Sequence, residues 1–338
     1  MRTRHLLLAI GLTALWGFNF VVMEVGLRHF PPLFYVALRF ALAAFPALLF
    51  VGGPGVPWRK VLVAGATLGI GQYTLLLMGM RAGMPAGLTS LVVQVQAVFT
   101  AVLAVVLLGE RLTARRITGM AVALAGLVLI AADLGTGGPV GAFLLVVGSA
   151  FFWSAGNIAV RSAAPPNSFR FMVWISAVAA LPMLALSLLV EGVPRLEFSV
   201  QGSLSVLYVA LISTLGGFGI WGFLLQRYDA SVVAPSALLV PVFGMSSAAL
   251  FTGEPISPVK LTAAALIISG VLYASTRART TAARVRPRPH DQKMTQKPTA
   301  KTRESTRMTA PTVMNSTPRS TPLPPTPSRR ARWGRSGS

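Results

Sequence analysis

The sequence predicts an all-α integral membrane protein: ten transmembrane helices built as two five-helix inverted repeats, with both termini cytoplasmic. Three observations carry that expectation. Hydrophobic residues make up 54% of the chain and charged residues 12%, about half the charged share that coats a soluble domain. Ten apolar stretches of about 20 residues recur between short loops, each able to cross a hydrocarbon core of roughly 30 Å at 1.5 Å per residue. The two halves of the chain also echo one another.

In order, the stretches are Leu6–Val25, Leu33–Val51, Val61–Met80, Gly87–Leu108, Ile117–Leu134, Val140–Val160, Phe169–Val190, Leu204–Leu225, Val232–Thr252 and Val259–Ser275. Turn-forming residues separate them, among them Pro31-Pro32, Gly52-Gly53-Pro54 and Pro165-Pro166. The first stretch follows Arg2 and Arg4 but runs on through Trp16, Asn19 and Phe20 with no small-residue cleavage site. It reads as a retained helix rather than a signal peptide.

Basic residues set the orientation. Arg2, Arg4, Arg59, Lys60, Arg111, Arg115, Arg116, Arg161, Arg170 and Arg227 fall at one end of the spans, and Arg28, Arg81, Arg195 and Lys260 at the other. The richer end is therefore cytoplasmic, in a cytoplasmic (inner) cell membrane. The net charge of +21 is concentrated in residues 276–338, which hold fifteen Lys/Arg against Asp291 and Glu304. This tail is too polar to bury a core and is expected to be disordered. It is either a solvated extension or a segment drawn to anionic lipid, at about 1 kcal/mol per basic residue near the surface. No folded basic module accompanies it, so nucleic acid is not an expected partner.

The repeat is read from matched positions. Gly109-Glu110 closes the fourth stretch and Gly253-Glu254 the ninth. Thr118 and Gly126 follow the first pair at the spacing with which Thr262 and Gly270 follow the second. Trp16 and Asn19 echo Trp153 and Asn157, with the asparagine displaced by one. The domains are thus 1–134, 140–275 and the tail 276–338. Five is odd, so the second copy enters the membrane inverted, an architecture whose substrate sites lie near the midplane between the halves.

Polar side chains inside a span are expensive and invite an explanation. Arg39 lies deep in the second stretch, so it should face the bundle interior. There it holds a substrate carboxylate, or pairs with Glu24 or helix-end carbonyls. Glu24, near the outer end of the first stretch, is the acid placed to titrate for proton coupling; its plainer reading is an interfacial carboxylate. Glu110 and Glu254 read as structural. Trp16 and Asn19, three apart, share a helix face that suits a cavity wall or an interhelical hydrogen bond. Gln72 and Tyr73 add polarity to the third stretch. In the fourth, Gln94 and Gln96 lie about 200° apart on an ideal helix, and Gln94 is the one assigned to the cavity. Gly216-Gly217, Gly219 and Gly222 around Trp221, and Pro235 and Pro241, predict broken backbone in the eighth and ninth stretches.

The chain has no cysteine, which excludes disulfides and thiolate metal sites. It lacks G-x-x-x-x-G-K-[ST], H-E-x-x-H and G-x-S-x-G. His5, His29 and His290 do not cluster. No metal, cofactor or enzymatic role is therefore expected.

Several stretches together resemble the EamA family of the drug/metabolite transporter superfamily, and within it the exporters of O-acetylserine and cysteine. They are Trp16-Gly17-Phe18-Asn19-Phe20, Leu38-Arg39-Phe40, Met84-Pro85-Ala86-Gly87-Leu88, Gln94-Val95-Gln96-Ala97, Gly109-Glu110-Arg111-Leu112, Gly219-Ile220-Trp221-Gly222 and Leu238-Leu239-Val240-Pro241-Val242. The resemblance implies a secondary exporter of small amino-acid-like solutes, with Trp16, Asn19, Arg39, Gln94 and Trp221 on its path, acting as a monomer or homodimer. Two features depart from it: Glu24 stands where those exporters carry a basic residue, and the basic tail lies outside the family core. Efflux of drugs or toxic cations is the competing expectation and would want a cavity acid. An enzyme or scaffold is the expectation from another class.

Overall fold

A computed structural model describes residues 1–134, 139–194, 199–228 and 230–275; the tail 276–338 lies outside the described residues. Ten helices are long and apolar enough to cross a membrane: α1 Thr3–Leu27, α2 Pro32–Val51, α3 Trp58–Arg81, α4 Ala86–Leu108, α5 Ala114–Asp133, α6 Val140–Ala163, α7 Ser168–Val190, α8 Val200–Arg227, α9 Pro235–Thr252 and α10 Pro258–Ser275. No strand occurs among the described residues. Eight of the ten starts move outward from the sequence reading, because first turns carry polar residues or proline while the reading followed apolar residues alone; Val140 is unchanged, and the start of α9 moves inward, from Val232 to Pro235. Thr113, Asn167 and Ser199 cap α5, α7 and α8 by accepting backbone N–H groups from Arg116, Arg170 and Gly202.

Gly109 and Gly253 end α4 and α9 in the same way. Each adopts a left-handed conformation, with φ of +66° and +71°. The next residue closes the cap: Glu110 N–H donates to Ala104 O and Glu254 N–H to Ala248 O, both at 3.3 Å.

Exposed Phe45, Leu49, Leu181, Leu189 and Leu250 stand on the surface of the bundle, where hydrocarbon would receive them. Inside, helices approach closely where side chains are small. On α3, Gly65 meets Ile175 and Val178, and Gly69 meets Ile175 and Ala179, all of α7. On α5, Gly119 lies against Gly270 and Gly126 against Ala263 and Ile267, all of α10. A third seam joins α1, α4 and α9, where a Cβ on Gly244 would strike the Ser90 side chain and one on Gly17 would lie 2.7 Å from Gly244 N.

The expected breaks in α8 and α9 are present. Residues Tyr208–Gly216 form a π-helix that ends at the Gly216-Gly217 pair, and Ala234–Leu239 form a 3₁₀ turn containing Pro235. Two further breaks carry no proline: a π-helix over Gly65–Gly71 in α3 and a 3₁₀ turn over Val93–Val95 in α4. Third and eighth helices thus share one irregularity, and fourth and ninth another. Such departures from α geometry concentrate at functional positions.

Candidate functional site

The π-helix of α8 organises the first polar cluster. Its wide turn leaves Ser213 O free to accept from Trp16 Nε1 at 3.1 Å, while the Thr214 hydroxyl folds back on Val209 O at 2.7 Å. Thr214 Oγ1 in turn accepts from Arg39 Nε at 3.1 Å. Arg39 is 2% exposed. Its remaining partners are the Tyr73 hydroxyl, 2.9 Å from Nη2, and the Met23 sulfur, 3.7 Å from Nη1. The guanidinium also lies 4.2 Å from the Tyr73 ring centroid, a cation–π distance. Asn19 Nδ2 donates to the same Met23 sulfur at 3.5 Å, and Asn19 Oδ1 is buried with no partner.

Four helices therefore converge: α1 (Trp16, Asn19, Met23), α2 (Arg39), α3 (Tyr73) and α8 (Ser213, Thr214). Trp221 joins from α8, its ring 5.5 Å from that of Trp16. The predicted pairing of Arg39 with Glu24 or helix-end carbonyls does not form. Glu24 is taken by Arg28, one turn further along α1, at 2.9 Å. Among the described residues no carboxylate reaches Arg39, so a positive charge sits in the interior balanced by hydroxyls, a sulfur and a π face. Burying an ion without its counter-ion costs several kcal/mol, and an orphaned amide oxygen adds to that. A ligand with an anionic group and an N–H donor would satisfy both.

The other Trp–Asn pair builds a different cluster. Asn157 Nδ2 donates to Gln96 Oε1 at 2.9 Å, and the Thr100 hydroxyl donates to the same oxygen at 3.3 Å. Trp153 is half-buried beside the core. Gln96 and Thr100 line a cavity of about 270 Å³ that runs along α4 to Glu110, Arg116 and Arg161. Gln94, the glutamine assigned to the cavity from sequence, does not line this one. It is buried, as is Gln72, and neither side chain has a hydrogen-bond partner among the described residues. The 3₁₀ turn between the two glutamines advances about 120° per residue rather than 100°, which alters the stripes drawn on an ideal helix.

At the end of this cavity the Glu110 carboxylate accepts from Arg161 Nη2 and from Arg116 Nη1. Those two hydrogen bonds, that of Arg161 first, hold its pKa below the ordinary carboxylate value. Its counterpart Glu254 pairs with Lys260 at 3.1 Å, six residues on as Arg116 is from Glu110. Glu254 also accepts from the backbone N–H of Gly87 at 2.7 Å, at the start of α4. Glu191 does the same for α2, accepting from Leu33 and Phe34 N–H at 2.8 and 3.0 Å. At that end, carboxylates of α7 and the α9 corner thus bind helix N-termini of the first half, a favourable charge–dipole arrangement.

Sequence reasoning missed Met23, Thr214, Thr100, Arg116 and Arg161. Thr214 could have been suspected from its place beside the Gly216-Gly217 break. The arginines were read only as loop charges.

Ten apolar spans enclosing buried polar clusters, with broken helices beside them, define a multi-pass membrane transporter. The EamA-like transporter family matches the chain twice, over residues 3–132 and 140–276, and the chain belongs to that family, within the drug/metabolite transporter superfamily. It is 43% identical to a probable amino-acid metabolite efflux pump of Salmonella typhimurium, over 78% of this chain and 92% of that protein. A protein of the same description from Escherichia coli is 38% identical over the same shares. A probable terminal-alkyne amino-acid exporter of Streptantibioticus cattleyicolor is 28% identical over 78% of this chain and 90% of its own. A solved crystal structure aligns with a TM-score of 0.60 at 21% identity, over 83% of this chain and 100% of that one; the likeness is one of fold.

Proposed function

We propose that this protein exports small amino-acid-like solutes, O-acetylserine and cysteine among them, across the cytoplasmic membrane by alternating access. The observation that carries the reading is Arg39: a buried cation without an acid, beside the unpartnered Asn19 Oδ1. An α-amino acid presents the complementary pair, a carboxylate for the guanidinium and an ammonium for the amide oxygen. Trp16 and Trp221 flank the cluster, with Tyr73, Gln72 and Gln94 on neighbouring helices and Trp153 and Asn157 on the path through the second half. Glu24, one residue on from Met23, is the acid placed to couple a proton. The names of the two efflux pumps and of the amino-acid exporter support the substrate class.

The two repeats, 1–134 and 140–275, are read as inverted copies with both termini cytoplasmic. The like caps at Gly109 and Gly253, and the paired breaks in α3 with α8 and α4 with α9, support this reading. Because the chain has no cysteine, a single Arg28→Cys or Gly53→Cys variant reports orientation directly. An impermeant maleimide applied to intact cells should label the first and spare the second. The function is tested in proteoliposomes holding only this protein, with radiolabelled O-acetylserine, cysteine and a cationic dye, with and without a pH gradient. Saturable amino-acid flux supports the reading, and its response to the gradient reports proton coupling. Dye flux without amino-acid flux replaces the reading with cation efflux.

A further inference from the structure

The cavity along α4 ends in an arrangement that packing does not require. Its inner part is lined by Gln96, Thr100 and Met120, and its end by Glu110, Arg116 and Arg161. Two guanidiniums share one carboxylate, so the end of the cavity carries a net positive charge. Each guanidinium has five N–H donors. Among the described residues each gives one of them to Glu110, which leaves four on each arginine for a ligand. The side chains are 40% and 58% exposed for Arg116 and Arg161, against 25% for Glu110, so the donors are the accessible part. Further in, Gln96 Oε1 is already occupied by Asn157 and Thr100. Its amide N–H₂ is left as a donor within the cavity.

We propose that this cavity is a loading site for small solutes bearing a carboxylate, which Arg116 and Arg161 bind before the solute passes to the Arg39 cluster. Glu110 accepts one hydrogen bond from each arginine and keeps their excess charge at one unit. Bidentate donation to a carboxylate is the geometry for which guanidinium forks are suited. The cavity volume, about 270 Å³, lies just below the range of drug-sized sites, roughly 300–1,000 Å³, and fits a solute of amino-acid size. The proposal rests on the exporter reading above and adds a second position on the path.

The test is equilibrium binding of radiolabelled O-acetyl-L-serine to the purified full-length chain, together with transport from the cytoplasmic side in proteoliposomes. O-acetylethanolamine, the same molecule without its carboxylate, is the competitor. Arg116→Gln and Arg161→Gln should each raise KM roughly 10- to 100-fold, the loss of a charge-assisted hydrogen bond, with kcat little changed. Glu110→Gln should bind the solute as tightly or more tightly, because it raises the net charge at the end of the cavity. O-acetylethanolamine should not compete. A merely structural clamp predicts the reverse for Glu110→Gln, which would then weaken binding as the arginine variants do; that result overturns the proposal. Arg161→Lys, which keeps the charge, should recover part of the affinity and guards against loss of folding in Arg161→Gln. Amino-acid transport with unaltered KM in both arginine variants overturns the loading site and leaves the exporter reading standing. A wild-type chain that neither binds nor moves O-acetyl-L-serine overturns both.

Discussion

Replacing Arg39 by methionine removes the buried charge while keeping much of the side-chain volume. Three hydrogen bonds end, those to Thr214, to Tyr73 and, more weakly, to the Met23 sulfur. Thr214 keeps its own donation to Val209 O, and Tyr73 is only half-buried, so neither hydroxyl is stranded. Each loss then costs about 1 kcal/mol rather than the larger penalty of an orphaned group. Against this, taking an unpaired cation out of the interior relieves a desolvation cost of several kcal/mol. The terms oppose each other, and Arg39→Met should lose no more than about 2 kcal/mol of stability. Transport should respond quite differently. A guanidinium–carboxylate contact contributes about 3 kcal/mol, or roughly 150-fold at 1.4 kcal/mol per tenfold. The assay is O-acetylserine flux in proteoliposomes, paired with thermal unfolding followed by tryptophan fluorescence. Flux at parental KM and kcat would refute the assigned role. A folded yield near zero would make Arg39 a strut holding α2, α3 and α8 together.

Three further outcomes follow from the same geometry. Gly119→Val should destabilise the protein by about 1–3 kcal/mol, because a Cβ there would lie 2.5 Å from Gly270 O; Gly141→Ala, with nothing within 4 Å, is the neutral control in thermal unfolding. Glu110 has a folded pKa below its ordinary value, so its stabilising contribution is complete above that value and is lost as pH falls through the folded one. Parent and Glu110→Gln should therefore converge in melting temperature on acidification below about pH 4.5, the ordinary value. Glu254→Gln should loosen the junction of α4 and α9 by about 1–3 kcal/mol, since it weakens the acceptor for Gly87 N–H and leaves Lys260, 15% exposed, without its counter-charge. A cysteine placed at Ala248 in that background should react with maleimide faster than in the parent.

The spans were legible because hydrocarbon imposes one rule on every helix, and apolar runs of fixed length satisfy it. The breaks in α8 and α9 were legible for a local reason: Gly216-Gly217 and Pro235 disturb helices wherever they stand. The breaks in α3 and α4 were not: the glycines of Gly65–Gly71 serve equally for close packing against α7, and Val93–Val95 contains neither glycine nor proline. Arg39 could be singled out because a lone charge in a span stands out against its neighbours. Its partners could not: Met23, Tyr73 and Thr214 come from three other helices, and nothing local says that they meet. Gln94 and Gln96 could not be ranked from residue type: both are amides in the middle of α4, and only the packed structure shows that Gln96 lines the cavity along that helix.

The seam between α5 and α10 also constrains the order of assembly. In α5 only 22% of its most apolar window is buried, and its close approaches at Gly119 and Gly126 are made to α10, the last span among the described residues. After α5 leaves the ribosome, about 125 residues must still be made before α10 begins. At 5–20 residues per second that is roughly 6 to 25 s. Throughout that interval α5 has lipid where its partner will lie, and its glycine face is open to any helix that happens to pass. The seam is therefore among the last contacts the chain can make, and a defect in α10 should first be felt as a loosely held α5 early in the sequence.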